Sequence, residues 1–107
     1  NEWNTLINFT GGDLVAGGKL KEAGLLNWSS PNTDATDEVN FTALPSGYRN
    51  SLNATYQGKS FLGSWWTSSE VNPTTAFSRI IRHNSGAIDN QVNYQKSGGL
   101  SVRCLKN

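Results

Sequence analysis

The chain has no Met, one Cys, one His and three Pro, and only 16% of its 107 residues are charged. With Cys104 as the single cysteine no internal disulfide can close, so folding depends on a hydrophobic core. His83, without a second His or Cys, falls short of the ligand set of a zinc centre. The net charge is +1, and the only close basic neighbours are Lys19 and Lys21. That disfavours nucleic acid as a partner, because such binding needs several phosphate contacts from one face. No apolar run approaches the roughly 20 residues of a membrane span, and no signal peptide is legible. The opening "NEWNTLINF" lies inside a helical pattern, as expected of a trimmed segment whose upstream residues carry any export signal or lipid anchor.

What is plentiful is Asn, Ser, Thr and Gly, on a chain that is 36% hydrophobic. This gives a polar, weakly charged surface, closer to extracellular β-rich modules than to a helical enzyme. The length fits one small domain, residues 1–107, with a single core. Trp3, Leu6 and Ile7 fall at i, i+3 and i+4, which predicts a helix ended by Gly11 and Gly12. Asp13 is expected to cap a short second helical turn, "LVAG", and "KLKEAG" reads as an edge strand or a helix end. Residues 27–40 read as a long loop. Beyond it the chain reads as β. "FTALPSGYR" is a strand broken at Pro45, and "SWWTSSEV" is a strand. "AFSRIIR" and "AIDNQVNY" flank "HNSG", a turn where Asn84 and Gly86 take positive φ most easily. "GLSVRCL" alternates as a closing strand, which puts Cys104 on one face with Leu100 and Val102 as a buried, inert thiol. Helices first and strands after, without a βαβ rhythm, predict an α+β domain.

The stretches "EWNTLINFTGG", "GGKLK", "FTALPSGYR", "SWWTSSE" and "GGLSVRCLKN", in this order, resemble the Fibrobacter succinogenes major paralogous domain family. The resemblance implies a C-type-lectin-like fold, with N-terminal helices packed on a twisted, mostly antiparallel sheet and long loops. It also implies a place in surface or secreted proteins of Bacteroidetes and Fibrobacteres, at the extracellular or outer-membrane surface. Two departures stand out: the family's usual first strand, Arg-Leu-Pro-Thr-like, is not present, and Leu100 stands where an aromatic is common. Relatives of the fold include diversified ligand-binding proteins and formylglycine-generating enzymes. The family brings no established activity with it, and fold alone does not assign one.

Among candidate sites, the adjacent Trp65 and Trp66 must point to opposite faces of their strand. One is expected in the core. For the other, burial beneath the 27–40 loop, with Trp28 as part of the cover, is preferred over a flat platform for a ligand. Asn32, Asp34, Asp37 and Glu38 offer the hard oxygens that calcium takes, with Asp34, Asp37 and Glu38 the candidate ligands. The favoured alternative is a solvated acidic loop with Asx turns, because no EF-hand spacing and no Glu-Pro-Asn motif occurs. Arg79 shares a face with Phe77 and Ile81, so its stem is expected on them and its head on a carboxylate or carbonyls. Arg49 and Arg103 read as framework cations.

His83 with Ser85 and Asp89 does not make a triad, since neither a nucleophile elbow nor an oxyanion hole is recognisable. A recognition surface is expected on the 70–97 hairpin side, from Asn72, Thr74, Arg82, His83, Asn84, Asn90, Asn93 and Tyr94. There Asn adapts and Tyr anchors, as in antibody loops. The sequence thus predicts a noncatalytic binding module, without a cofactor, for a polysaccharide or protein ligand. The alternative is an architectural spacer of a larger surface protein with no ligand of its own.

Overall fold

The structure is a computed structural model in which residues 2–104 are described, apart from the side chain of Gln91. Helix α1 (Glu2–Thr10) forms on the expected spacing: Ile7 is buried, and Trp3 and Leu6 pack half-buried against the core. It ends at Gly11 and Gly12, whose φ values of 114° and 107° suit glycine. Helix α2 (Asp13–Leu20) starts at once, with Gly12 as its cap and the Gly12 carbonyl accepting from the amides of Val15 and Ala16. Asp13 is therefore not the cap but the first helical residue, where its charge complements the positive helix end. Lys19, in the last turn of α2, donates to the Thr10 carbonyl at 2.7 Å and satisfies an acceptor left open by the end of α1. The segment "KLKEAG" resolves as a helix end, after which Lys21 is extended and bridges Ala43.

Three long strands, β3 (Leu62–Asn72), β4 (Thr75–Arg82) and β5 (Ile88–Gln95), form an antiparallel sheet in that order. Two short strands, β1 (Tyr48–Arg49) and β2 (Tyr56–Gln57), pair antiparallel beside it. The register sets Gly63 opposite Ile81, Trp65 opposite Arg79 and Ile81 opposite Ile88. This face carries Trp65, Ile81 and Ile88 into one core with Ile7, Ala16, Leu20, Trp28 and Ala43. The protein is thus a small α+β domain with two short helices and antiparallel sheets. Among the described residues no helix is long and apolar enough to cross a membrane.

The expected closing strand is not formed. Gly99 bridges Arg49 while Ser101 bridges Trp65, so the segment crosses from one sheet to the other instead of lying along either. Beyond Ser101 no bridge holds Val102, Arg103 or Cys104 among the described residues, and Leu105 lies outside them. Cys104 is consequently exposed, not buried, and Val102 with it. Likewise only Tyr48–Arg49 of "FTALPSGYR" is strand.

The "HNSG" turn is also shaped differently from expectation, since neither Asn84 nor Gly86 has positive φ. It is held from outside. The Lys21 ammonium, on a residue with 0% exposure, donates to the carbonyls of Thr33 (2.7 Å), Ser85 (3.0 Å) and Arg82 (3.1 Å) and lies 5.5 Å from the Trp28 ring centre. Burial pushes its pKa down from 10.5 to about 8, opposed by Asp34. Gly17 and Gly18 explain how α2 reaches the same turn: a Cβ on Gly17 would overlap the Ala87 carbonyl, and one on Gly18 the Asp34 carbonyl. Two mid-helix glycines cost roughly 1 kcal/mol each against Ala. The backbone contact they permit includes the Gly18 amide donating to the Gly86 carbonyl at 2.9 Å.

The loop over residues 27–40 is long and irregular as expected, with Asn32, Asp34, Asp37 and Asn40 in the left-handed region that Asn and Asp tolerate. Trp28 is buried and its indole donates to the Ala43 carbonyl at 2.9 Å. The two adjacent tryptophans part as alternation requires. Trp65 is buried between Trp3 and Phe41, with ring centres at 6.1 and 6.3 Å. Trp66 is half-buried on the other face, 6.3 Å from Tyr94. The 27–40 loop therefore covers the face of Trp65 and not that of Trp66, because Trp28 joins the Trp65 core.

Candidate functional site

Alternation along β3, β4 and β5 places Leu62, Ser64, Ser78, Ile80, Arg82, Val92 and Tyr94 on the outer face of the sheet. Tyr48 of β1 and Leu100 of the crossing segment stand against that face, enclosing a cavity of about 230 Å³. Its floor holds two serines. The Ser78 hydroxyl is committed to the Val92 carbonyl at 2.9 Å. Ser64 is only 3% exposed, and its hydroxyl has no hydrogen-bond partner among the described residues.

Tyr48 and Tyr94 meet edge to face at 5.9 Å, a preferred aromatic geometry. Their hydroxyls are fixed, Tyr48 donating to Gln57 Oε1 at 2.7 Å and Tyr94 to the Arg49 carbonyl at 3.3 Å while accepting from the Ser51 amide at 3.2 Å. At the rim Arg82 pairs with Asp89: Nε and Nη2 lie 3.0 and 2.9 Å from Oδ2. Asp89 stands opposite Ile80 in the ladder and so shares the outer face. The result is a small apolar cup with fixed aromatic walls, a free hydroxyl below and a neutralised ion pair above.

The chain matches the Fibrobacter succinogenes major domain over residues 1–106. The chain belongs to that family. No curated protein and no solved structure matches it. In this member of the Fibrobacter succinogenes major domain family, two stretches that carried the resemblance shape the cavity. "ALPSGYR" supplies Tyr48, and "GGLSVRC" supplies Leu100.

The eight residues expected at a recognition surface do not form one patch. Arg82 and Tyr94 line the cavity. Asn72 and Thr74 are at the β3–β4 turn, where Asn72 Oδ1 accepts from the amides of Thr74 and Thr75 and from the Thr74 hydroxyl. His83 and Asn84 are at the β4–β5 turn, with the His83 Nδ1 3.0 Å from the Ser30 carbonyl and its ring edge-on to Phe61. Asn90 Nδ2 reaches Asp13 at 3.3 Å on the helix side, and Asn93 is exposed on β5. The cavity residues Tyr48, Ser64, Ser78 and Leu100 are not among those the sequence marks for recognition. Period-2 alternation with Trp66 marks Ser64, but nothing in the sequence reveals that β1 and residue 100 close over it.

The acidic loop does not converge. Asp37 accepts from the Thr42 amide and hydroxyl, both at 2.7 Å, Glu38 accepts from Thr36 at 3.3 Å, and the Asp34 carboxylate packs at Gly86. Among the described residues no group of three His, Cys, Asp or Glu side chains is placed to hold a metal ion. Arg49 donates to the Ser97 carbonyl at 3.0 Å, and Arg103 to the Phe41 carbonyl at 2.9 Å while lying over the Phe41 ring. Arg79 is buried, bonding Asn4 Oδ1 at 3.2 Å and the Ser78 carbonyl at 3.4 Å, and burial lowers its pKa against the opposing charge of Asp13.

A larger groove of about 760 Å³ runs between α1, β3 and residues 102–104. Trp3, Leu6, Phe9, Phe41, Trp66 and Val102 make it apolar, and the one arginine on its wall is engaged with Phe41. Glu2, Thr5, Thr67, Ser68 and Arg103 supply its polar lining.

Proposed function

We propose that this chain is a noncatalytic binding module on a C-type-lectin-like frame, recognising a polysaccharide through the outer face of the 70–97 hairpin. The frame is supported by the order of parts: two N-terminal helices, an irregular middle, then an antiparallel sheet joined at Gly99 and Ser101 by the C-terminal segment. The observation that carries the binding reading is the cavity of about 230 Å³ that gathers Tyr94 and Arg82 with Tyr48 and the free Ser64 hydroxyl. Aromatic walls with few fixed polar groups are the usual makeup of a ligand site. The one charged side chain on its wall, Arg82, is engaged structurally with Asp89, which favours holding a ligand over turning one over. A bacterial cell surface or secreted setting fits such a module.

A glycan array, backed by pull-down of soluble polysaccharides, tests this reading with Leu100→Trp as the comparison, a change that fills the cavity. Retention of a polysaccharide by the native chain and its loss in Leu100→Trp are the expected results. Retention unaffected by the filling would place recognition elsewhere. Silence from the native chain would favour a second reading supported by the 760 Å³ apolar groove, in which the domain is an architectural bead packed against a neighbour in a larger surface protein.

A further inference from the structure

The two edges of the three-stranded sheet are treated differently. On one side β3 is covered by the C-terminal segment. The Ser101 amide donates to the Ser64 carbonyl at 2.9 Å, and the Trp66 amide to the Ser101 carbonyl at 3.1 Å. On the other side β5 is the last strand. The Lys96 amide donates to the Thr74 carbonyl, and the Val92 carbonyl accepts from the Ser78 hydroxyl, both at 2.9 Å. Backbone groups alternate sides along a strand, so Val92, Tyr94 and Lys96 turn theirs toward β4 and its turn. Asn93 and Gln95 therefore turn theirs away from the sheet. The Gln95 carbonyl is taken by the Gly98 amide at 3.0 Å. The Asn93 N–H and C=O and the Gln95 N–H are left without a partner among the described residues.

An open edge is a template for another strand, and folded proteins guard it with lysine, proline, a bulge or a covering segment. The run from Val92 to Gln95 carries no charge and no proline. The bulge of β5 lies before it, where three steps from Asp89 to Val92 span two from Ile80 to Ser78. Helix α2 meets β5 near the same place, with Asn90 on Asp13, and beyond it Asn93 and Gln95 are exposed.

This edge complements itself. A two-fold axis through Asn93, normal to the sheet, lays β5 antiparallel on β5 of a second copy. Asn93 then exchanges both backbone bonds with the Asn93 of that copy. On the outer face Val92 stands opposite the second copy's Tyr94, and Tyr94 opposite its Val92, in the positions where cross-strand side chains approach closest. On the inner face the two Asn93 side chains meet, each with a donor and an acceptor. Like charges are nowhere opposed along this run. An axis one residue further on, at Tyr94, would set Val92 against Lys96; one residue back, at Val92, it would set Tyr94 against Asn90 across the bulge.

We infer that the β5 edge is a self-association surface, on which a second copy of this chain continues the sheet to six strands about a two-fold axis at Asn93. Because the axis is normal to the sheet, both outer faces lie on one side. The two cavities, each walled by Val92 and Tyr94, then open side by side. Such a pair meets a repeating polymer at two points at once. The contact itself stands independently of what the cavity holds.

The test is sedimentation equilibrium of the full chain, with amide hydrogen exchange at low and high protein concentration. A reversible dimer is expected, with a dissociation constant on the order of 0.1 mM, as suits a short ladder among small interfaces. The Asn93 and Gln95 amides are expected to exchange several-fold more slowly as concentration rises. Asn93→Lys puts two like charges on the axis, as does Asn93→Glu, and each alone is expected to weaken association at least tenfold. Mixing the two variants opposes unlike charges and is expected to restore a dimer. Asn93→Pro removes an N–H that no internal bond uses, so the fold tolerates it and the dimer is lost. It provides the check if a charged variant does not give a native spectrum.

A native chain that stays monomeric at about 1 mM would overturn the inference. So would a dimer indifferent to both Asn93→Lys and Asn93→Pro, which would place the contact on another face. An Asn93 amide whose exchange ignores protein concentration would do the same.

Discussion

Lys21 offers the sharpest test of how the fold is held. Replacing it by Met keeps the apolar stem and deletes the ammonium that ties α2's exit to the carbonyls of Thr33, Arg82 and Ser85. Each carbonyl left without a donor costs about 1–3 kcal/mol, so three cost roughly 3–9 kcal/mol. Against this, Met avoids the cost of burying a cation. The fall of the Lys21 pKa from 10.5 to about 8 sets that cost at roughly 3 kcal/mol, at about 1.4 kcal/mol per pH unit. The carbonyl term wins. Lys21→Met is expected to lose on the order of 3 kcal/mol at pH 7, which lowers the melting temperature by roughly 12–24 °C for a domain of this size.

The pH dependence of the same residue has the opposite sense from that of a stabilised ion. Because the folded pKa lies below the unfolded one, the unfolded chain carries more protons between about pH 8 and pH 10.5, and native stability rises with pH across that window. Lys21→Met lacks this gain, so the stability gap between the two proteins should widen by up to about 3 kcal/mol there. Urea denaturation at pH 7, 8 and 10.5, followed by tryptophan fluorescence, reads both effects. A variant as stable as the parent at pH 7 would refute the staple. A gap that stays constant or narrows above pH 8 would refute the desolvation account.

Three further outcomes follow from the packing. Gly17→Ala, despite a helix-propensity gain of about 1 kcal/mol, should destabilise the protein, because its Cβ meets the Ala87 carbonyl and backbone must move; overpacking of this kind costs about 1–3 kcal/mol or more, read by thermal melting. Trp65→Ala should lose about 3–5 kcal/mol and Trp66→Ala clearly less in the same urea assay, since only Trp65 is enclosed in the core. Cys104 should react with a thiol reagent in the native protein nearly as fast as in denaturant; full protection until unfolding would contradict the exposed C-terminal segment.

Local features of the chain were legible because local physics decides them. The Trp3–Leu6–Ile7 spacing and the Gly11–Gly12 stop define α1, and two runs of alternation define β4 and β5. The Asn- and Asp-rich 27–40 stretch is a loop with left-handed residues. The closing strand misled because alternation is necessary for a half-buried strand and not sufficient. "GLSVRCL" alternates, yet its backbone finds Arg49 at one end and Trp65 at the other. The recognition set scattered for a related reason. Asn72 and His83 sit on the same hairpin in sequence, but β4 carries the chain the length of the sheet between them.

What the sequence by itself determined is therefore α1, the three long strands, their order, the family and the amphipathic faces, all properties of spacing within one segment. Only the tertiary structure decided that Lys21 pins the loop to the hairpin turn. It alone brought Tyr48, Ser64, Arg82 and Leu100, from four separate stretches of chain, around one cavity. The physical reason is that hydrogen-bond register and side-chain packing between distant segments have no imprint in local periodicity: a serine on an outer face reads the same whether water or a pocket stands above it.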